Sequence, residues 1–197
     1  MTKLLLVFAA TLILAYISEQ NTKATIAAGQ RYCVWNDWAY LLLVTILTLF
    51  AGLRTSYNDT WNYISAFSKA PAIGEWVSNP DSVNPFKNPL FYFFQSLLKT
   101  FTSNPQWLIF VTSLITQICF ISFFKRYSTH FFFSIFIYFT LGTLVFTLAA
   151  LKQVLGMAVV TLAFPYLEKK KWWLTNVTFV LVFQEVRLAY VYVQPQH

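Results

Sequence analysis

Two runs without a single charge constrain this chain more than anything else in it: Trp107 to Phe124 over 18 residues and Phe131 to Ala150 over 20. A helix rises about 1.5 Å per residue and a bilayer core is about 30 Å thick, so a span takes roughly 20 apolar residues. Backbone N–H and C=O groups in lipid have no water to bond, which leaves helices or closed barrels. A barrel would read as segments of about ten residues alternating in polarity, and no such alternation is present. Only 11% of the residues are charged, against about 25% in a soluble domain. The expected fold class is all-α: a polytopic integral membrane protein of about six transmembrane helices plus one short interfacial or re-entrant helix.

The net charge of +7 would suggest a nucleic-acid partner in a soluble protein. Here the cations gather between apolar blocks, at Lys125-Arg126 and Lys169-Lys170-Lys171, where the positive-inside rule puts them. Lipid head groups are therefore the expected partner and nucleic acid is not. Cys119 lies mid-membrane and Cys33 before an aromatic belt, which argues against a disulfide. His130 and His197 stand far apart without cysteine or carboxylate company, so no metal site is expected.

Along the chain, Leu4 to Ile17 reads as an uncleaved first helix rather than a signal peptide, because further spans follow. Ser18 to Asp37 reads as a polar linker, and Trp35, Trp38 and Tyr40 mark an interface before a second span from about Trp38 to Leu53. Arg54 to Asn88 is the longest water-compatible stretch. Within it Ser56-Tyr57-Asn58-Asp59 matches a capping box and predicts a short helix from Tyr57 to about Ser68. Asn88-Pro89 opens a helix over Leu90 to Phe101, too short to cross, with Tyr92, Gln95, Ser96 and Lys99 on one face. Further spans are expected from Asn104 to Phe124, from Phe131 to Ala149, over Val154 to Leu167 after a polar corner at Lys152-Gln153, and from Trp172 to Phe183. With Lys125-Arg126 and Lys169 to Lys171 cytoplasmic, Lys152 and the whole of 54–104 fall on the outer face.

That outer region collects Arg54, Asp59, Asn62, Tyr63, the Tyr92/Gln95/Lys99 face and Lys152-Gln153. Arg54 and Lys152 together can hold a diphosphate, the arginine as a bidentate fork and the lysine as a point charge. Asp59 can act as a general base on a hydroxyl, and Asn62 and Tyr63 lie three and four residues beyond it, on its face. Each has a plainer reading. Arg54 ends a span and snorkels, Asp59 completes a capping box, and Lys152 anchors a helix corner at the interface. Tyr92 and Gln95 line the wet side of an interfacial helix. Composition and spacing stop at a polytopic membrane protein with a polar cluster on one face.

The stretch Gly52-Leu53-Arg54-Thr55-Ser56-Tyr57-Asn58-Asp59-Thr60-Trp61-Asn62-Tyr63-Ile64-Ser65-Ala66-Phe67 resembles the signature after the second span of the EpsG family, Wzy-like polymerases of bacterial exopolysaccharides and capsules. Asn88-Pro89-Leu90-Phe91-Tyr92 through Asn104-Pro105-Gln106-Trp107 is similar to that family's Glu-Pro-Leu-Phe-Tyr helix and the following span. Leu151-Lys152-Gln153 through Ala158 is similar to its Arg-Gln motif. Asn88 stands where the family has Glu, and Lys152 replaces Arg, which keeps the charge and loses the fork. Members are typically longer, with several more spans, and the stretch Gln184 to His197 departs from the family. The resemblance therefore implies a truncated member: a multi-span membrane domain over 1–183 matching the N-terminal half of such a polymerase, with 54–104 as its outer-face region and 184–197 as an atypical tail.

The function that the resemblance implies is polymerisation of undecaprenyl-diphosphate-linked oligosaccharide repeat units at the outer face of the bacterial cytoplasmic membrane. It implies no cofactor, and other polysaccharide-assembly proteins as partners. Arg54 and Lys152 would hold the diphosphate, Asp59 would act as base or orienting group, Asn62, Tyr63, Tyr92 and Gln95 would contact sugar, and Gln153 would belong to the substrate-binding set. The alternatives are a flippase or exporter component for the same lipid-linked sugars, which calls for charged residues lining a path inside the spans, and an inactive remnant.

Overall fold

The computed structural model describes residues 2–29, 33–55, 57–78, 89–168 and 170, and all regular structure among them is helical. The expected span over Trp172 to Phe183, the tail 184–197, Ser56 and the cap Asn88 lie outside the described residues. The helices are α1 Thr2–Ala27, α2 Trp38–Gly52, α3 Thr60–Lys69, α4 Ile73–Ser78, α5 Pro89–Phe101, α6 Gln106–Tyr127, α7 Phe131–Thr140, α8 Thr143–Ala149 and α9 Leu151–Glu168. Of these, α1 and α6 are long and apolar enough to cross a membrane. Together α7 and α8 pass the same test as one span bent by 55°, while α2 and the Leu151–Pro165 part of α9 are shorter apolar helices. In α1 only 22% of the most apolar window is buried against the rest of the chain. Leu5, Leu6 and Ile13 stay exposed along it, as they must where lipid is the solvent.

Helix α6 is central, packing on α2 along one side and α9 along another, while α1 packs on α2 and α7. Side-chain contacts fix the directions. Tyr40 meets Ser122 through a 2.6 Å hydroxyl pair and Gln106 reaches Gly52, so α2 and α6 are antiparallel. Phe8 stacks near Phe139 and Tyr16 near Phe132, so α1 and α7 are antiparallel. Phe123 meets Phe164 at 5.0 Å while Leu108 and Leu151 share a cluster at the opposite end, so α6 and α9 run parallel, with α7 and α8 as the return between them. The main core joins Leu43, Leu47, Phe120, Ile135, Tyr138, Val154 and Ala158. A second, smaller core of Phe67, Phe91, Leu108, Ile109 and Leu151 sits under α3 and α5.

Three expectations need correction. Ser18 to Asp37 is not all linker: α1 continues to Ala27, because the Thr22 and Thr25 hydroxyls bond back to the Ser18 and Asn21 carbonyls and Glu19 pairs with Lys23 one turn on. The helix after the capping-box motif begins at Thr60 rather than Tyr57. Asn58 takes a positive φ of 43°, a conformation asparagine tolerates better than most residues, and this turn leaves Asp59 at the helix cap position with no side-chain capping bond. The uncharged run Phe131 to Ala149 is broken at Gly142, whose φ of +72° suits a residue without Cβ.

At the Lys125 end a polar network ties three helices. The Asp37 carboxylate accepts from the Ala39 backbone N–H and so starts α2. It also accepts from Ser18 Oγ at 2.5 Å and from Asn21 at 3.1 Å. Lys125 Nζ lies 3.7 Å from Asp37 and donates to both oxygens of Ser18. Its charge also sits 4.6 Å from the Phe131 ring centroid, a cation–π contact. The lysine and aspartate side chains are 3% and 1% exposed, so neither charge has water as an alternative.

Removing one partner of a buried pair leaves the other uncompensated, at a cost of about 3–5 kcal/mol, whereas replacing both is far milder. Lys125→Met is therefore expected to lower the thermal midpoint in detergent sharply, and Lys125→Met with Asp37→Asn to recover most of it. A single variant as stable as the parent would show that the pair does not hold these helices.

Candidate functional site

The site lies at the other end of the bundle, where α2 ends, α6 and α9 begin, and α3 and α5 pack across. Its first fixed point is the close approach of α2 and α6. A Cβ on Gly52 would come within 2.9 Å of the Phe110 ring and 3.1 Å of the Phe110 Cα, so only glycine allows this spacing. Gln106, at the start of α6, donates its side-chain N–H groups to the carbonyls of Gly52 at 2.7 Å and Arg54 at 3.1 Å. The first bond satisfies a C-terminal carbonyl of α2 that the helix itself leaves open, and the two together pin the turn that carries Arg54.

Arg54 then points into the protein. Its Nη1 donates to the Ala51 carbonyl at 2.9 Å and its Nε to Thr60 Oγ1 at 3.3 Å, while Thr60 donates to the Tyr57 carbonyl. Nη2 is buried without a hydrogen-bond partner. Burial pushes the guanidinium down to about 10, against which the Tyr63 and Tyr57 phenols act; it keeps its charge at neutral pH. An orphaned N–H on a buried cation costs more than an ordinary unmade hydrogen bond, and an anionic oxygen is the group that would relieve it.

Tyr63, on α3, faces α5 and α9. Its ring meets Phe91 edge-on at 5.9 Å, and the backbone of Lys152, in the first turn of α9, acts on its hydroxyl against the effect of burial. Burial raises the phenol above its ordinary range, which keeps it neutral. The Lys152 ammonium lies 5.2 Å from the Phe91 centroid and 5.9 Å from that of Tyr63. Arg54, Tyr63 and Lys152, distant in sequence, are thereby brought into one cluster. Asp59 lies at its edge, exposed, acting electrostatically on Tyr63 and accepting from Asn62 at 3.4 Å.

The other sequence candidates divide. Gln95 is 4% exposed, on the same face of α5 as Phe91, and its Nε2 has no hydrogen-bond partner; the buried Ser96 Oγ has none either. Tyr92 is half-buried beside them, with its hydroxyl raised by burial. Asn62 is exposed on the outer side of α3. Gln153 is exposed on the side of α9 opposite Leu151, Val154 and Ala158, and is not brought to the cluster. Lys99 serves as a strut, donating to the Phe67 and Ser68 carbonyls at the end of α3 with its charge over the Phe67 ring. Thr60, Phe91 and Gln106 carry contacts that spacing alone does not single out. Among the described residues no group of three or more metal-ligating side chains forms.

Because the Gly52–Phe110 contact sets the position of Arg54, Gly52→Ala is expected to destabilise the protein by about 1–3 kcal/mol through overpacking. Phe110→Ala in the same chain should return only the part due to the ring, since the contact to the Phe110 Cα remains. Thermal unfolding of the two variants in one detergent checks both expectations.

No curated protein and no solved structure matches the chain. The family model described as the EpsG family matches residues 37–184, which takes in α2 to α9 and every residue of the cluster. That is well over half of the 197 residues, and the chain belongs to the EpsG family.

Proposed function

We propose that this protein polymerises lipid-linked oligosaccharide repeat units into exopolysaccharide or capsule, at the outer face of the bacterial cytoplasmic membrane. The observation that carries the reading is the buried Arg54 guanidinium with an unpartnered N–H, set in one cluster with Tyr63 and Lys152. Family membership supports it. Two cations that both act at Tyr63 fit a diphosphate, and the exposed carboxylate Asp59 stands where a sugar hydroxyl can approach. In the reaction the acceptor hydroxyl oxygen attacks the donor's anomeric carbon and the bond from that carbon to the diphosphate oxygen breaks. Undecaprenyl diphosphate leaves with the electron pair, and Asp59 takes the hydroxyl proton. Arg54 and Lys152 stabilise the charge that grows on the leaving diphosphate. Tyr63, Tyr92, Gln95 and Asn62 offer hydrogen bonds to sugar, with Gln153 the most remote of the set.

The topology belongs to the same proposal. The short apolar α2 and α9 cross along with α1, α6 and the bent α7–α8. Helix α5 lies at the outer interface. The Lys125 end is then cytoplasmic, as its cations favour. A second reading, passage of lipid-linked sugars, draws on the 55° break in α7–α8 next to the buried Thr112, Thr116 and Gln117 of α6. Broken helices beside polar groups are a feature of transporters.

Gene deletion separates these readings. Polymerisation predicts single repeat units accumulating on lipid at the outer face, transport predicts units stalled at the inner face, and an inactive remnant predicts no change. In the restored gene, Arg54→Gln is expected to reduce polymer by about 10²-fold or more with membrane insertion intact. Arg54→Lys, which keeps the charge and loses the fork, should fall between. Normal polymer from Arg54→Gln would rule the diphosphate role out. For orientation, in a Cys33→Ser background, Ser68→Cys should be labelled by an impermeant thiol reagent on intact cells and Thr129→Cys protected; the reverse pattern inverts the topology.

A further inference from the structure

A single amide group clamps the chain on both sides of Leu53. Leu53 closes α2 with its N–H on the Leu49 carbonyl, and past it the chain leaves the helix. Gln106 Nε2 donates to the Gly52 carbonyl at 2.7 Å and to the Arg54 carbonyl at 3.1 Å. The first bond finishes α2; the second reaches a carbonyl outside the helix and adds nothing to it. Gln106 is itself held, its backbone N–H on Asn104 Oδ1 at 3.0 Å, and further along α6 Phe110 lies against Gly52. The position of α6 is thereby passed to the backbone of Arg54. From that backbone the guanidinium has little freedom left. Nε on Thr60 Oγ1 and Nη1 on the Ala51 carbonyl engage two sides of a rigid planar group. Together they fix where Nη2 points, and Nη2 is the buried donor without a partner. The Gln106 amide nitrogen is engaged by both carbonyls, so it acts on a ligand only by way of Arg54. A cation aimed before the anion arrives spares binding the cost of ordering it.

We propose that Gln106 is a positioning residue for the polymerisation: it holds the Arg54 turn so that the unpartnered guanidinium N–H faces the diphosphate that leaves. The inference rests on the diphosphate role of Arg54 proposed above and assigns what aims that cation. Gln106→Met keeps the length and apolar stem of the side chain and removes both donors. Gln106→Asn keeps the amide but sets it one methylene short of both carbonyls, a milder change should the first variant not fold.

The test titrates inorganic pyrophosphate into the full chain in detergent micelles by calorimetry. Arg54→Gln and Gln106→Met are each expected to weaken affinity by about tenfold, the equivalent of about 1.4 kcal/mol, and Gln106→Asn by a similar factor. Combining Arg54→Gln with Gln106→Met should weaken it no further than Arg54→Gln alone, because residues that act through one another do not add. A part in folding alone would lower the thermal midpoint and leave the affinity of the folded protein unchanged. Parent affinity in both Gln106 variants, or losses that add in the double variant, would overturn the positioning role. Pyrophosphate that fails to bind the parent, or binds Arg54→Gln as tightly, tells instead against the diphosphate site itself, and the inference falls with it.

Discussion

A peptide group inside lipid must find its hydrogen-bond partner within the protein, and the layout of this chain follows from that constraint. Helices satisfy it along their length, so every regular element described is helical. Their ends are where it bites, because the last turns leave carbonyls and the first turns leave N–H groups open. The polar side chains that matter most sit at such ends. Asp37 closes the start of α2 and Gln106 closes the end of the same helix. Between apolar helices lipid supplies no hydrophobic drive, so tight packing and polar contacts decide which helices touch.

The two ends of the bundle use polar groups in opposite ways. Around Asp37, Ser18 and Lys125 the groups close on one another, charge against charge with the hydroxyl between them. Such an arrangement is suited to holding three helices in register. Around Arg54 the network is open: Nη2 of the arginine, Nε2 of Gln95 and Oγ of Ser96 are buried without hydrogen-bond partners. A folded protein tolerates few such groups. With Thr48 Oγ1 of α2, these unmet groups set this end apart from the closed network around Lys125.

Much of this is legible in the sequence, for identifiable reasons. Charge-free runs of this length report helices in lipid because a barrel strand would be shorter and alternate in polarity, and a lysine or arginine near a span end reports a membrane rim. Arg54 and Lys152 stand out as polar groups beside apolar blocks. Their meeting at Tyr63 does not, because it depends on α6 and α9 running parallel, which only the full packing fixes. The same holds for Lys125 in α6 and Asp37 at the cap of α2, which no local pattern joins. The extension of α1 to Ala27 is hidden because Ser18, Asn21 and Thr22 read as linker residues until their hydroxyl bonds are seen. Gly142 is the exception that could be found, being the lone glycine in an otherwise unbroken apolar run. The late start of α3 turns on the backbone of Asn58, where a capping pattern and a left-handed turn compete for the same four residues.

The parallel run of α6 and α9 has an electrostatic consequence. Peptide dipoles add along a helix to roughly half an elementary charge, positive at the N-terminus. Helices of 22 and 18 residues begin side by side at Leu108 and Leu151, so their positive ends reinforce each other instead of cancelling as in an antiparallel pair. Hydrocarbon screens this field far less than water does. Where α6 and α9 begin, their paired positive ends favour negative charge, set against the C-termini of α2 and α8 that close at the same rim.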